Sequence, residues 1–366
     1  MAAAAVLLLL TAVAWDGIGR FEAHALRDRL LDANTANVLT IVPDMTPYRR
    51  WLDPLLRDAY AEAEKHNDSP KQLYASLALL PVDPKQVDYL YERLMKAGPQ
   101  ELIVIREALF DHRSELVPRL WSVLENQQTD PEQRLRAACA LAAYAPDNDP
   151  RWSSMAAKVV NLNQVAIVQW TDALRGARKS LIPPLANFLQ DENHTPLERG
   201  LMAKVYGSYA PDVPGAYSLL ENGLKLDDSA KDKVDVARRQ ASVGVALVLM
   251  NHADEVWPRL KHSADPTMRS FLIERLGPSG VDAKVLLARL SQTTDTSIKR
   301  ALLLSLGECD RSRLSEEERK SVLEQLQKLY RDDPDPGIHG AAEWLLSRWQ
   351  EAKELHLIFA AIYRKL

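Results

Sequence analysis

Apolar residues recur along this chain at helical spacing, and one helical phrase returns several times. Asp130-Pro131, Thr195-Pro196, Asp265-Pro266, Asp295-Thr296 and Asp335-Pro336 open it. Four residues after the first member stands an ionisable side chain: Arg134, Arg199, Arg269, Lys299 and His339. Eleven residues after it comes Leu141, Tyr206, Leu276, Leu306 or Leu346, and the next position is small: Ala142, Gly207, Gly277, Gly307 or Ser347. Apolar residues at steps seven, eight and eleven, such as Leu272, Ile273 and Leu276 or Leu302, Leu303 and Leu306, share one face of a helix. The leading Asp or Thr is suited to accept from free backbone N–H groups, and proline fits the first turn, where no N–H partner is needed. Thr195 with Glu198, and Ser315 with Glu318, have capping-box spacing. The small residue lets a neighbouring helix come close, or ends its own helix.

A second phrase alternates with the first. Leu116-Val117-Pro118-Arg119-Leu120, Leu181-Ile182-Pro183-Pro184-Leu185 and Val256-Trp257-Pro258-Arg259-Leu260 align on a proline, which predicts the first turn of a partner helix. Val123, Leu124, Phe188 and Leu189 continue its buried face. Fainter copies of the first phrase start at Ser69, Gly98, Asn163 and Asp232, so that starts recur about every 29 to 40 residues. That is the length of two short helices and two turns. Stretches of this kind cannot hide an apolar face alone, so the expectation is an all-α chain, an α-solenoid of stacked helical hairpins.

Composition supports helix and narrows the partners. The chain has 46% hydrophobic residues, 26% charged residues and only 14 glycines. A formal charge of −4, with both signs interspersed, supplies no basic stripe for nucleic acid. Cys139 and Cys309 each lie within an apolar helical run, which predicts buried thiols rather than a disulfide or redox site. Ala2 to Trp15 form an apolar run that is short of the roughly 20 residues needed to cross a bilayer. A membrane anchor, a cleaved signal and a first buried helix are all compatible with it. After Gly17-Ile18-Gly19 a helix is expected from near Phe21 through Leu31, and another over Tyr48 to Lys65.

The paired phrases resemble HEAT repeats, in which an Asp-Pro-initiated helix with a following Arg and a terminal Leu-Gly packs beside a partner helix. The resemblance implies a ladder between units involving Asp130, Asp265, Arg134, Arg269 and Lys299, with Thr195 and His339 departing from it. A narrower likeness lies in Asp333-Pro334-Asp335-Pro336-Gly337-Ile338-His339 and its continuation to Trp349, in Thr46-Pro47-Tyr48-Arg49-Arg50-Trp51, and in Tyr144-Ala145-Pro146-Asp147. These phrases resemble the helical-repeat middle region of large planctomycete proteins that carry a protein kinase domain and a formylglycine-generating-enzyme-like (sulfatase-modifying factor) domain. Neither catalytic module has a counterpart in this sequence, so no catalytic residue carries over.

No Walker A, Gly-x-Gly-x-x-Gly, Gly-x-Ser-x-Gly or His-Glu-x-x-His phrase occurs. Gly176-Ala177-Arg178-Lys179-Ser180 lacks the upstream glycine of a phosphate loop. His252, Asp254, Glu255, His262 and Asp265 are the densest group of metal-ligand types, but their spacing favours solvated loop residues. Asp111, His112 and Glu115 suit a surface ion pair, and Trp121, Trp170, Trp257, Trp344 and Trp349 suit packing between repeats. The sequence therefore divides into a hydrophobic segment over 1–19, a HEAT-like solenoid over 20–349 and a helical tail over 350–366. The expected function is a noncatalytic scaffold or protein-docking module, membrane-associated or else cytoplasmic. Protein partners are expected, with no cofactor, metal, nucleic acid or small-molecule substrate. The alternatives are a detached accessory region of a kinase or formylglycine-generating enzyme, and a divergent bilin lyase.

Overall fold

The computed structural model describes residues 2–145, 149–225 and 232–349, with side chains from Trp15 onward apart from Arg313. Among them every regular element is helical and there is no strand. The predicted tail over 350–366 lies outside the described residues. Two compact units emerge. One holds the chain up to Leu162 together with Gln169–Ala177; the other holds Asn163–Val168 and the chain from Arg178 on.

The caps explain why helices start where they do. Asp130, Thr195, Asp232, Asp295 and Asp335 each accept from backbone N–H groups in the first turn of the helix they open. Thr195 and Ser315 close complete capping boxes with Glu198 and Glu318. At Asp265 the helix begins one residue late, at Thr267, whose N–H and hydroxyl both donate to the Asp265 carboxylate. Leu141, Tyr206, Leu276, Leu306 and Leu346 at the eleventh step are all fully buried. Tyr206 is the polar exception in this series; its hydroxyl donates to the Ala216 carbonyl at 2.6 Å, which satisfies it inside the core.

The small residue at step twelve is used for close approach. A Cβ on Gly207 would stand 2.8 Å from Met250 Cγ, one on Gly277 2.2 Å from the Glu308 carbonyl oxygen, and one on Gly307 2.0 Å from the Trp344 ring. In the first unit Gly176 meets the Ala142 carbonyl in the same manner. Neighbour relations agree. The Pro196–Tyr209 helix packs on Lys233–Leu249, that on Thr267–Leu276, that on Thr296–Gly307, and that on Pro336–Arg348. Partner helices pair with them: Arg113–Glu125 with Pro131–Tyr144, Arg178–Gln190 with Pro196–Tyr209, and Glu316–Asp332 with Pro336–Arg348.

Several expectations need correction. Pro118 and Pro183-Pro184 sit inside the Arg113–Glu125 and Arg178–Gln190 helices, not in their first turns. Each proline forfeits one helical N–H bond and crowds the carbonyl four residues earlier, yet both helices run on through it. Val256 to Leu260 hold a single 3₁₀ turn, Trp257–Leu260, instead of a partner helix. The copy starting at Asn163 is broken into Gln164–Gln169 and Thr171–Leu174. Gly17-Ile18-Gly19 does not interrupt the first helix, α1, which runs Ala2–Leu31. Gly19 serves packing there: a Cβ would lie 2.6 Å from the Trp51 indole.

The implied Asp–Arg ladder is replaced by a different bond. Arg134 donates to the Leu124 carbonyl at 3.0 Å, Arg269 to the Leu260 carbonyl at 2.9 Å, Arg199 to the Asp191 and His194 carbonyls, and His339 to the Asp333 carbonyl. Their targets are carbonyls at or just after the end of the preceding segment, where helical oxygens lack intrahelical partners and attract cations. The leading carboxylates are occupied as caps. One carboxylate–guanidinium rung does join successive template helices, from Arg300 to Asp335 at 2.6 Å.

Both cysteines are buried and neither forms a disulfide. Among the described residues no helix is long and apolar enough to cross a membrane. The side chains of Ala2 to Ala14, on which the anchor expectation rests, lie outside the described ones.

Candidate functional site

In the second unit, the stretch between the Lys233–Leu249 and Thr267–Leu276 helices frames a cavity of about 570 Å³. The Lys233–Leu249 helix ends with Asn251 in the left-handed region, φ 56°, which turns the chain sharply. Only the Trp257–Leu260 turn follows before Asp265. Val236, Ala237, Pro258, Ala264 and Met268 supply apolar wall, and Gln240 contributes a buried amide that donates to the Lys225 carbonyl at 2.9 Å.

The rim is cationic. Lys233, Arg259, Lys261, His262 and Arg269 line it, and Asp265 is the one acid among the lining residues. That acid is engaged. Bonds from the Thr267 hydroxyl and N–H, aided by the charge of Lys233, hold the Asp265 carboxyl below the usual aspartate range against the effect of burial. Lys261 leans on Asp295 at 3.2 Å. Arg269 is a wall element: burial, with the like charge of Arg300, draws it below the usual arginine range, yet guanidinium stays charged in proteins. Lys233 and Arg259 complete the cationic lining, and the charge of Lys233 also acts on Asp265. Apolar wall with an excess of exposed positive charge suits an anionic, partly apolar ligand such as an acidic peptide segment.

The sequence-level candidates fare differently. His262 and Asp265 join the cavity, whereas His252 stacks on Tyr217 with ring centroids 4.0 Å apart and faces Glu221 at 2.9 Å. Asp254 and Glu255 are exposed, and among the described residues no group of three or more His, Cys, Asp or Glu is placed to hold a metal ion. Asp111, His112 and Glu115 form no ion pair with one another. Gly176 lies in a 3₁₀ turn pressed against Ala142, not in a phosphate-cradling loop. Trp121, Trp170, Trp257 and Trp349 are buried; Trp344 is half-exposed with its ring against Gly307.

Sequence reasoning missed the cavity, although a signal existed. The aligned proline stands twelve residues before Asp130 and Thr195 but only seven before Asp265, too few for a helix and a turn. No family model matches this chain, and no match was found among curated proteins or solved structures.

Proposed function

We propose that this protein is a noncatalytic docking module of HEAT-like, α-solenoid character, whose cation-rimmed cavity receives an acidic, partly apolar segment of a protein partner. The observation that carries the reading is the recurrence of one contact. Gly207 against Met250, Gly277 against Glu308 and Gly307 against Trp344 are equivalent positions of successive template helices, each abutting the next. Repeated equivalent contacts are what serial stacking requires, and stacked repeats act through extended surfaces rather than a central reactive pocket. Where one partner helix shrinks to a turn, the stack gains a concave, positively charged recess, and recesses that combine apolar wall with charge anchor partner segments.

The test is affinity capture from native extract with the full chain and with a Lys233→Glu/Arg259→Glu variant, whose altered side chains lie at the surface. The reading expects a partner retained by the natural sequence, lost with the variant at unchanged melting temperature, and weakened by salt. The same proteins recovered with both chains, or none with either, would overturn it.

A further inference from the structure

We infer that the partner segment enters the cation-rimmed cavity extended and is recognised through its main chain. The Gln240 side-chain oxygen accepts one of its backbone N–H groups, and Arg269 donates to a carbonyl beside it. This rests on the docking reading above and names the part of the partner that the cavity recognises.

Gln240 breaks the pattern of its own helix. It stands eight residues after the Asp232 cap, where other copies place the buried apolar residues Ala138, Ala203 and Leu303. Packing alone would be served by an alanine or a leucine. Gln240 is nevertheless only 3% exposed, and it lines the cavity. Its Nε2 donates to the Lys225 carbonyl at 2.9 Å and to the Leu224 carbonyl at 3.4 Å. Two carbonyl acceptors fix which end of the amide is nitrogen, and they turn its oxygen away from residues 224–225. Among the described residues no donor reaches that oxygen. A buried acceptor left unmatched is costly, and a sequence keeps such a departure where a ligand supplies the missing donor.

Arg269 supplies the opposite group. Its Nε donates to the Leu260 carbonyl at 2.9 Å and its Nη2 to the Ser297 carbonyl at 3.2 Å, which hold the guanidinium in the cavity wall. Among the described residues Nη1 donates to no acceptor. A fixed acceptor and a fixed donor lining one recess complement a peptide group, which offers one N–H and one C=O. An inorganic anion or a free carboxylate would meet the cations but present only acceptors to Gln240, which disfavours it there. With the main chain held in this way, the wall of Val236, Ala237, Pro258 and Met268 receives an apolar side chain and the cationic rim an acidic one.

The test titrates the full chain into a fluorescein-labelled hexapeptide of alternating Asp and Leu, followed by fluorescence polarisation. Each backbone amide of the peptide is then replaced in turn by an ester, which removes one N–H. One ester position should weaken binding about tenfold. In Gln240→Met the same ester should cost less than about twofold, because its partner is already gone. Melting temperature shows whether Gln240→Met keeps its fold; if it does not, the ester series on the natural sequence decides alone. A series with no sensitive position, or one equally sensitive in folded Gln240→Met, would overturn the inference. If Lys233→Glu/Arg259→Glu abolishes binding in that case, the docking reading stands and only main-chain recognition falls. A peptide that does not bind the natural sequence also overturns the inference, and capture from native extract then judges the docking reading separately.

Discussion

Replacing Gly277 by alanine sets two physical effects against each other, and their sum tests the close approach of successive template helices. Gly277 follows the Thr267–Leu276 helix with φ −64° and ψ −58°, an ordinary helical conformation that any residue adopts. On backbone grounds alone, alanine should stabilise by about 0.5–1 kcal/mol, because glycine loses more freedom on folding. The added Cβ, however, would stand 2.2 Å from the Glu308 carbonyl oxygen, 2.3 Å from its carbon and 2.7 Å from the Cys309 nitrogen. These are backbone atoms, which cannot swing aside as a side-chain tip can, and overpacking of this kind costs about 1–3 kcal/mol. The net expectation is a loss of about 1–2 kcal/mol. Gly340 is the control: it lies inside the Pro336–Arg348 helix, with nothing within 4 Å of its notional Cβ. Gly340→Ala should therefore gain up to about 1 kcal/mol. Thermal unfolding followed by far-ultraviolet circular dichroism separates the two, at about 2–4 °C per kcal/mol for a domain of this size. A Gly277→Ala variant as stabilised as Gly340→Ala would refute the packing of these helices.

Two other expectations bear on the core of the second unit. Tyr206→Phe leaves the Ala216 carbonyl without its buried donor and should cost about 1 kcal/mol in urea unfolding; no change would mean that the 2.6 Å bond contributes nothing. Glu192 grips Arg275 at 2.8 Å, the two side chains retaining 25% and 15% exposure, so Arg275→Gln should cost about 2 kcal/mol at neutral pH, less than for a fully buried pair. Burial pushes the Glu192 carboxyl up, but bonds from Arg275 and Ser242 outweigh it and leave the group below the usual glutamate range. A carboxyl lowered in the folded state stabilises above its unfolded value and ceases to as pH falls through its folded value. Stability should thus decline on acidification below about pH 4.3, and decline less steeply in Arg275→Gln. Parallel pH profiles for the two proteins would contradict this role.

Much of the fold is legible in local chemistry. Asp130, Thr195, Asp295 and Asp335 announce helix starts because a cap acts within one turn, so no distant residue can alter it. The buried leucines at step eleven follow from helical period alone. Features decided by neighbours are the ones that escape. Pro118 reads as a first turn, yet the 3₁₀ turn Leu109–His112 leads into a helix that begins at Arg113 and runs through it. Arg134 and Arg269 read as ladder cations, but they turn to carbonyls of the preceding segment because the carboxylates are already capping. Gly19 reads as a breaker and is instead the seat of Trp51, a residue from a different helix. The cavity was foreshadowed by a shortened interval before Asp265, but its charge depends on Lys233 and Arg259 being brought to one rim.

Lysine-directed crosslinking mass spectrometry on the protein in its native extract tests the docking account most directly. Lys233 and Lys261 both line the cavity, so crosslinks to a single partner should concentrate on these two and fall near acidic residues of that partner. Crosslinks spread evenly over surface lysines, or gathered at lysines remote from this rim, would contradict the account.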